Sequence, residues 1–369
     1  MGRTLKRVLV IHPYGIGDLL FVTPVLRALR LIPTVDTVDL ILGSRTSAVV
    51  ENNPHINEIF VLDKDKLRRQ TRQENFKELW ALGMKLRAKR YDLLLDFSLR
   101  PEYAFWSKFL LGIPKRAGFA YKRRAIFHNI RYPLPEGYWG QHAADFYAGL
   151  AEKAGIPVTD RFLEYYFPQE EDFEEKISAK LNFSGRDYIT VSPGGGDSWG
   201  KEAEFKRWPA KYFAEFIKKL RAKIDFSGVC FLGSKSETEL CEELKKSIDG
   251  PAVVLAGETS LSETAMILKR SKLFIGNDGG LVHLAHALNV PLIAFYGPVP
   301  PEVYGPYPPS SKAAAIFKKG LECRPCYYRF RFKKDCPTIA CLKELSPEEA
   351  LKRLEEQHFF EKMKKGALC

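Results

Sequence analysis

The chain is 369 residues long, with 45% hydrophobic and 28% charged residues, a core-forming composition that excludes a disordered chain and is too long for one average domain. No apolar run approaches the roughly 18 residues of a transmembrane helix, and the run at residues 8–11, after Arg3, Lys6 and Arg7, is too short for a secretory core, so a cytoplasmic protein is expected. The formal charge of +12 favours an anionic partner, whether a nucleic acid, a lipid surface or a phosphorylated substrate.

Residues 6–11 read as a buried strand and residues 19–31 as a helix with Leu19, Val22, Val25, Leu26 and Leu29 on one side. Between them, His12-Pro13-Tyr14-Gly15-Ile16-Gly17-Asp18 carries the first two glycines of a dinucleotide fingerprint. Leu20 occupies the third position, so that fingerprint fails. Asp18 is left at the helix start, where it reads either as a plain N-cap or as an acid in the ligand crevice. Strands are expected at residues 37–42, 58–62 and 91–97, with helices around 44–52 and 74–89, the alternation of a parallel sheet. Residues 64–90 interleave Lys and Arg with Leu67, Phe76, Leu79, Trp80, Leu82 and Leu86, which fits either an anionic membrane surface or a solvated helix face. A second basic group, Lys115, Arg116, Lys122, Arg123, Arg124 and Arg131, is threaded with Phe119, Tyr121 and Phe127. It reads as a holder for an anionic acceptor or as an ordinary surface loop. Residues 141–154 look helical, and residues 155–171, rich in proline and acids, form the linker.

The second half restarts the pattern with a strand at residues 187–191 followed by Ser192-Pro193-Gly194-Gly195-Gly196. Glycines after a strand let backbone amides face a diphosphate, and Lys206 or Arg207 of Lys206-Arg207-Trp208-Pro209 supplies counter-charge. No Gly-Lys-Ser/Thr follows, so this is not a Walker loop. A helix runs to about residue 223, and strand and helix alternate through residues 226–232, 237–247, 252–255 and 262–269. Residues 272–297 then read as one βαβ unit: strands at 273–275 and 291–296, and a helix carrying Leu281, Leu284, Ala285 and Leu288. Asn277, Asp278, Gly279 and Gly280 fall at the carboxyl end of its first strand, where open α/β sheets hold ligands; Asp278 as a mere helix cap is the alternative.

Seven cysteines, four of them within residues 323–341, argue against a disulfide scaffold and for a reducing compartment. Cys323-x-x-Cys326, Cys336 and Cys341 leave a structural metal, reversible disulfides and free thiols all open. Residues 346–362 read as a capped helix opening on Ser346-Pro347-Glu348-Glu349. No repeat of solenoid period is present.

Taken as an ordered set, Gly15-Ile16-Gly17-Asp18, Ser192-Pro193-Gly194, Lys206-Arg207-Trp208-Pro209 and the run from Gly276-Asn277-Asp278-Gly279-Gly280 to His283 resemble the family 9 glycosyltransferases, the group of the ADP-heptose:lipopolysaccharide heptosyltransferases. The resemblance extends to the tail with Cys336-Pro337 and Cys341. It implies an α/β GT-B fold of two facing Rossmann-like, doubly wound domains with an interdomain cleft: an acceptor domain at 1–165, a nucleotide-sugar domain at 166–345, and a C-terminal helix at 346–369 that crosses back in many members. By the same resemblance Asp18 is the general base, and Lys206 contacts phosphate. Asp278 and His283 hold the donor, with Gly279, Gly280 and the loop Ser192, Gly194 and Gly195 around its diphosphate. Arg116, Lys122, Arg123 and Arg124 are the acceptor candidates. Many members have threonine directly after the donor-site aspartate where this chain has Gly279, which leaves the sugar nucleotide open.

The expectation is an inverting, metal-independent heptosyltransferase acting on an anionic lipid-linked glycan, with peripheral contact at the inner face of the cytoplasmic membrane and no nucleic-acid partner. A cofactor is not required, and a structural metal at Cys323, Cys326, Cys336 and Cys341 stays open. The alternatives are the same chemistry with another nucleotide sugar, or, in a different class, a basic zinc-containing nucleic-acid-binding protein; the charge is spread over both halves without a nucleic-acid motif.

Overall fold

The computed structural model describes residues 4–169, 173–181, 187–196, 200–332, 336 and 338–365; Arg3, Glu171 and Pro337 lie outside them. The chain divides into two compact units, Met1–Tyr166 and Phe167–Cys369.

The first unit runs β1 (Arg7–His12), α1 (Ile16–Leu20), α2 (Thr23–Arg30), β2 (Thr37–Gly43), α3 (Ser47–Val50), β3 (Glu58–Leu62), α4 (Lys64–Arg69), α5 (Arg72–Ala88), β4 (Leu93–Asp96), α6 (Pro101–Phe109), β5 (Lys115–Ala120), β6 (Ile130–Pro133) and α7 (Ala143–Lys153). Its strands form a parallel sheet in the order β3-β2-β1-β4-β5-β6. The middle strands β1 and β4 are buried along nearly their whole length, as sheets covered on both faces require. Leu9, Ile11, Leu94, Phe60 and Leu86 share one core cluster under α5.

Three expectations change here. The single helix over residues 19–31 is two helices: α1 ends at Leu20, and Pro24 opens α2 in its first turn, where a missing N–H is tolerated. The helix around 44–52 shortens to a 3-10 turn and α3. The basic stretch at 115–131 supplies two strands, β5 and β6, rather than a loop. Its strand pattern is disguised by Gly118, whose missing Cβ leaves the space filled by the His128 ring, 2.3 Å from the position a Cβ would take. The segment after α7 has no regular structure, but Arg27 ties it down through Asp160 at 3.2 Å and Glu164.

The second unit runs α8 (Phe173–Leu181), β7 (Tyr188–Ser192), α9 (Ala210–Leu220), β8 (Gly228–Phe231), α10 (Thr238–Lys245), β9 (Ala252–Val254), α11 (Leu261–Arg270), β10 (Leu273–Asn277), α12 (Gly280–Ala287), β11 (Leu292–Phe295), α13 (Pro301–Tyr304), β12 (Ala313–Ile316), the short pair β13 (Tyr327–Tyr328) and β14 (Arg331–Phe332), α14 (Ala340–Lys343), α15 (Pro347–Glu356) and α16 (Phe359–Lys365). The main sheet is parallel in the order β12-β11-β10-β7-β8-β9. Read from β9, this repeats the plan of the first sheet. Trp208 anchors the core, stacked on Phe295 at 3.9 Å between Phe213 and Phe216, with its indole N–H donating to the Leu345 carbonyl at 2.8 Å. The helix expected over 346–362 breaks at His358, which takes φ 53°, and Phe359 turns into the core beside Ala350 and Leu354.

Candidate active site

In a doubly wound sheet the loops after the two strands flanking the reversal of strand order form the natural ligand site. Those strands are β1 and β4 in the first unit, and β7 and β10 in the second. Each candidate acid lies beside one of them.

In the first unit, Asp18 is the third residue of α1. The cap itself is Gly15, with no side-chain hydrogen bond, so Asp18 is not the plain cap. It is half-buried beside two tyrosines: burial pushes Tyr14 and Tyr147 well above the ordinary phenol range, and the Asp18 charge adds to both. The Tyr14 hydroxyl accepts the Leu99 N–H at 2.8 Å. His12, fully buried at the end of β1, meets Tyr14 and Tyr147 edge-on at 5.5 and 5.7 Å. Among the described residues neither of its ring nitrogens has a hydrogen-bond partner, and burial pushes its pKa down to about 3. Asp96, which ends β4, accepts the Ser98 N–H at 2.9 Å and pairs with His128 Nε2 at 3.1 Å. Sequence reasoning gave Asp96 no role, yet it shows the signal that singled out Asp278, an acid that closes an apolar strand.

Of the acceptor candidates, Arg124 donates to the carbonyl of Leu99, the residue whose amide Tyr14 holds, and so belongs to the Asp18 end of the sheet. Lys122 and Arg123 are exposed on the same connection. Arg116 is separate. It lies at the start of β5 with its guanidinium held by the carbonyls of Ile113, Pro114 and Phe127.

In the second unit, β7 and β10 pair so that Ser192 lies opposite Gly276, which brings the glycine loop against Asn277-Asp278. Asn277 locks the arrangement: its side-chain amide donates to the Pro193 carbonyl at 2.5 Å, and its oxygen accepts the Trp208 N–H at 3.0 Å. Lys206 Nζ lies 2.6 Å from Asp278 Oδ2, with both side chains nearly buried. A buried charge without a partner is costly, so each holds the other in place. Arg207 reaches back to the Gly194 carbonyl at 2.9 Å. The Lys-Arg-Trp-Pro motif therefore divides its work: ammonium in the site, latch on the loop, core anchor, and the cap of α9.

Asp278 does not cap α12. The cap is Gly279, with no side-chain hydrogen bond. A Cβ at Gly279 would lie 2.7 Å from the Gly195 carbonyl oxygen, so the turn and the glycine loop pack backbone to backbone. Gly195 and Gly196 take φ +84° and +85°, the left-handed region open to glycine. The third glycine is not a free phosphate donor, because the Gly196 N–H donates to Glu237 at 2.9 Å. Glu237 is buried and also accepts the Ser234 N–H at 2.8 Å. The Ser234-x-x-Glu237 spacing of a capping box was the signal for it. His283 is buried on α12, and the charge of Asp278 adds to the burial that raises Tyr296.

None of the four tail cysteines is in a disulfide; Cys323 is exposed and Cys341 buried. Burial pushes Cys341 up to about 12, with Cys326, Cys336 and Cys323 adding to the shift. Among the described residues no group of three or more His, Cys, Asp or Glu side chains stands at metal-holding spacing. Among them, too, no helix is long and apolar enough to cross a membrane.

Two such sheets, with ligand-compatible loops at both reversals, make up a two-domain α/β architecture of the GT-B type. Residues 79–334 match glycosyltransferase family 9 (heptosyltransferase), and the chain belongs to that family. It is 29% identical over 331 residues to lipopolysaccharide heptosyltransferase 2 of Escherichia coli K12, covering 85% of this chain and 88% of that one. The fold matches the structure of E. coli ADP-heptose lps heptosyltransferase II with a TM-score of 0.71 at 24% identity, over 95% of this chain and 98% of that one. It also matches the family 9 glycosyl transferase of Veillonella parvula with a TM-score of 0.75 at 22% identity, over 97% and 98%. The nucleic-acid reading finds no support in this family or fold.

Proposed function

We propose that this glycosyltransferase moves a heptose from ADP-heptose to an inner-core acceptor of lipopolysaccharide, with inversion, at the inner face of the cytoplasmic membrane. The observation that carries the proposal is the buried Lys206–Asp278 pair beside the glycine loop, in a chain of family 9. The acceptor oxygen forms a bond to the anomeric carbon as the bond from that carbon to the diphosphate breaks; the hydroxyl proton passes to Asp18, and ADP leaves. A base so placed contributes about two to four orders of magnitude in rate. Lys206, amides of the Ser192, Gly194 and Gly195 loop, and the start of α12 at Gly279 and Gly280 would take up the charge on the leaving diphosphate. His283 completes the donor side, and Lys122, Arg123 and Arg124 offer charge to an anionic acceptor.

The test is ADP release from ADP-heptose with a lipid A-linked inner-core acceptor. Asp18→Asn should lower turnover at least a hundredfold while ADP still binds. Normal turnover by this variant would dismiss Asp18 as base. Gly279 favours a second reading, the same chemistry with another sugar nucleotide, and a donor panel scored by nucleotide release decides between them.

A structural metal on Cys323, Cys326, Cys336 and Cys341 is proposed only from the four thiols falling within residues 323–341 of the sequence. Their spacing is not that of a ligand set, so a metal would have to draw them together. Elemental analysis of the purified protein tests this, and metal-free, fully folded protein would dismiss it.

A further inference from the structure

In the first unit α5 and α6 lie side by side over one face of the sheet: Arg87 of α5 donates to the Leu110 carbonyl after α6, and a Cβ on Gly83 would meet Leu110. Inward, Leu82 and Leu86 join the core with Tyr103 and Leu111. Outward, α5 presents Phe76, Leu79, Trp80 and Met84 to solvent at helical spacing, Phe76 being 63% exposed. On α6, Phe105, Trp106 and Phe109 do the same, at up to 57%. A helix face that meets only water carries charged residues at such positions. Here a run of large apolar side chains crosses two neighbouring helices, and apolar patches of this kind mark interaction surfaces.

Charge says what covers it. Phe105 and Phe109 pack on Phe127 at 5.2 and 5.9 Å, and Phe127 and Lys108 continue into an open pocket of about 650 Å³ whose wall includes Arg116, Arg131 and Lys153 and no carboxylate. The Arg116 and Arg131 guanidiniums are fixed by the carbonyls of Phe127 and His128. Among the described residues Arg72, Lys77 and Lys108, on the two helices, have no carboxylate partner, while Glu74 and Glu78 are engaged by Thr71 and by Lys66, which leaves Glu102 in the first turn of α6 as the remaining acid against them. Aromatic side chains beside fixed cations suit the boundary between lipid headgroups and acyl chains.

We propose that the outer face of α5 and α6, with the adjoining cationic pocket, docks on an anionic lipid bilayer. The aromatic side chains enter the headgroup layer, and Lys77, Lys108 and Lys153 meet lipid phosphates. For its purpose this rests on the lipid-linked acceptor proposed above, while its geometry stands apart from that reading.

The test is co-sedimentation of the full chain with phosphatidylcholine vesicles, with and without phosphatidylglycerol. Binding should require phosphatidylglycerol and weaken with salt. Trp80→Ser/Trp106→Ser/Phe109→Ser and, separately, Lys77→Glu/Lys108→Glu/Lys153→Glu should each weaken it at least tenfold, with unchanged thermal unfolding and unchanged turnover of a deacylated, water-soluble acceptor. Should the first variant lose its fold, the charge variant alone decides. The proposal is overturned if the parent ignores phosphatidylglycerol vesicles or the variants bind them as the parent does. It is equally overturned if the apolar variant changes the oligomeric state and not vesicle binding, which would make the face a self-interface. Absence of turnover with every acceptor would remove the heptosyltransferase reading and leave the vesicle result standing.

Discussion

Gly279 departs from the family pattern, and its surroundings give the departure a steric cause. With the Gly195 carbonyl 2.7 Å from where a Cβ would stand, any side chain at 279 must push the glycine loop away from the turn. Gly279→Thr should therefore weaken ADP binding about tenfold or more in titration calorimetry; unchanged affinity would show that the close packing is not needed by the donor. His12 makes a different prediction. Its pKa in the folded chain, pushed from 6.5 to about 3, lies below that of the unfolded chain, so the unfolded chain takes up the proton first as pH falls. The contribution of neutral His12 is intact above pH 6.5 and is lost on the way down toward pH 3, at up to about 1.4 kcal/mol per pH unit. Urea unfolding across that range should show a shallower acid loss in His12→Phe than in the parent, and parallel curves would refute it.

Trp208 serves two elements at once: its ring stacks on β11 through Phe295, and its backbone N–H is gripped by Asn277 at the end of β10. Trp208→Ala should cost about 3–5 kcal/mol of stability, read as a lower urea midpoint. Loss of less than about 1 kcal/mol would mean the core closes without it. Strands were readable wherever they are buried on both faces, as in β1, β4, β7, β10 and β11, because a short run rich in Val, Ile, Leu and Phe that soon meets a proline, glycine or acid fits little except a buried strand. Elements at the margin escaped. β5 opens with Lys115 and Arg116 and is interrupted by Gly118, and α6 exposes the aromatic residues that a periodicity search places inside. The candidate site was readable as far as single residues report themselves: Asp18, Lys206 and Asp278 stand in motifs. Glu237 and Asp96 carry local signals, a capping box and an acid closing an apolar strand, but the partners that give them their place, Gly196 and His128, are 41 and 32 positions away, and separations of that size leave no local pattern.

At the scale of the whole molecule, the two units share one strand plan, β3-β2-β1-β4-β5-β6 in the first and β9-β8-β7-β10-β11-β12 in the second. Each has its own core cluster. Asp96 at the end of β4 therefore stands in the same topological place as Asn277 at the end of β10. The residues proposed for the donor all fall within Phe167–Cys369, and those proposed for the acceptor and the base within Met1–Tyr166. On that proposal, donor choice and acceptor choice are carried by different parts of one chain. A chimaera joining residues 1–166 to the matching second half of a relative with a different sugar nucleotide should keep this acceptor and adopt the new donor, so recombination at one point near residue 166 can create a new glycan linkage without rebuilding either site.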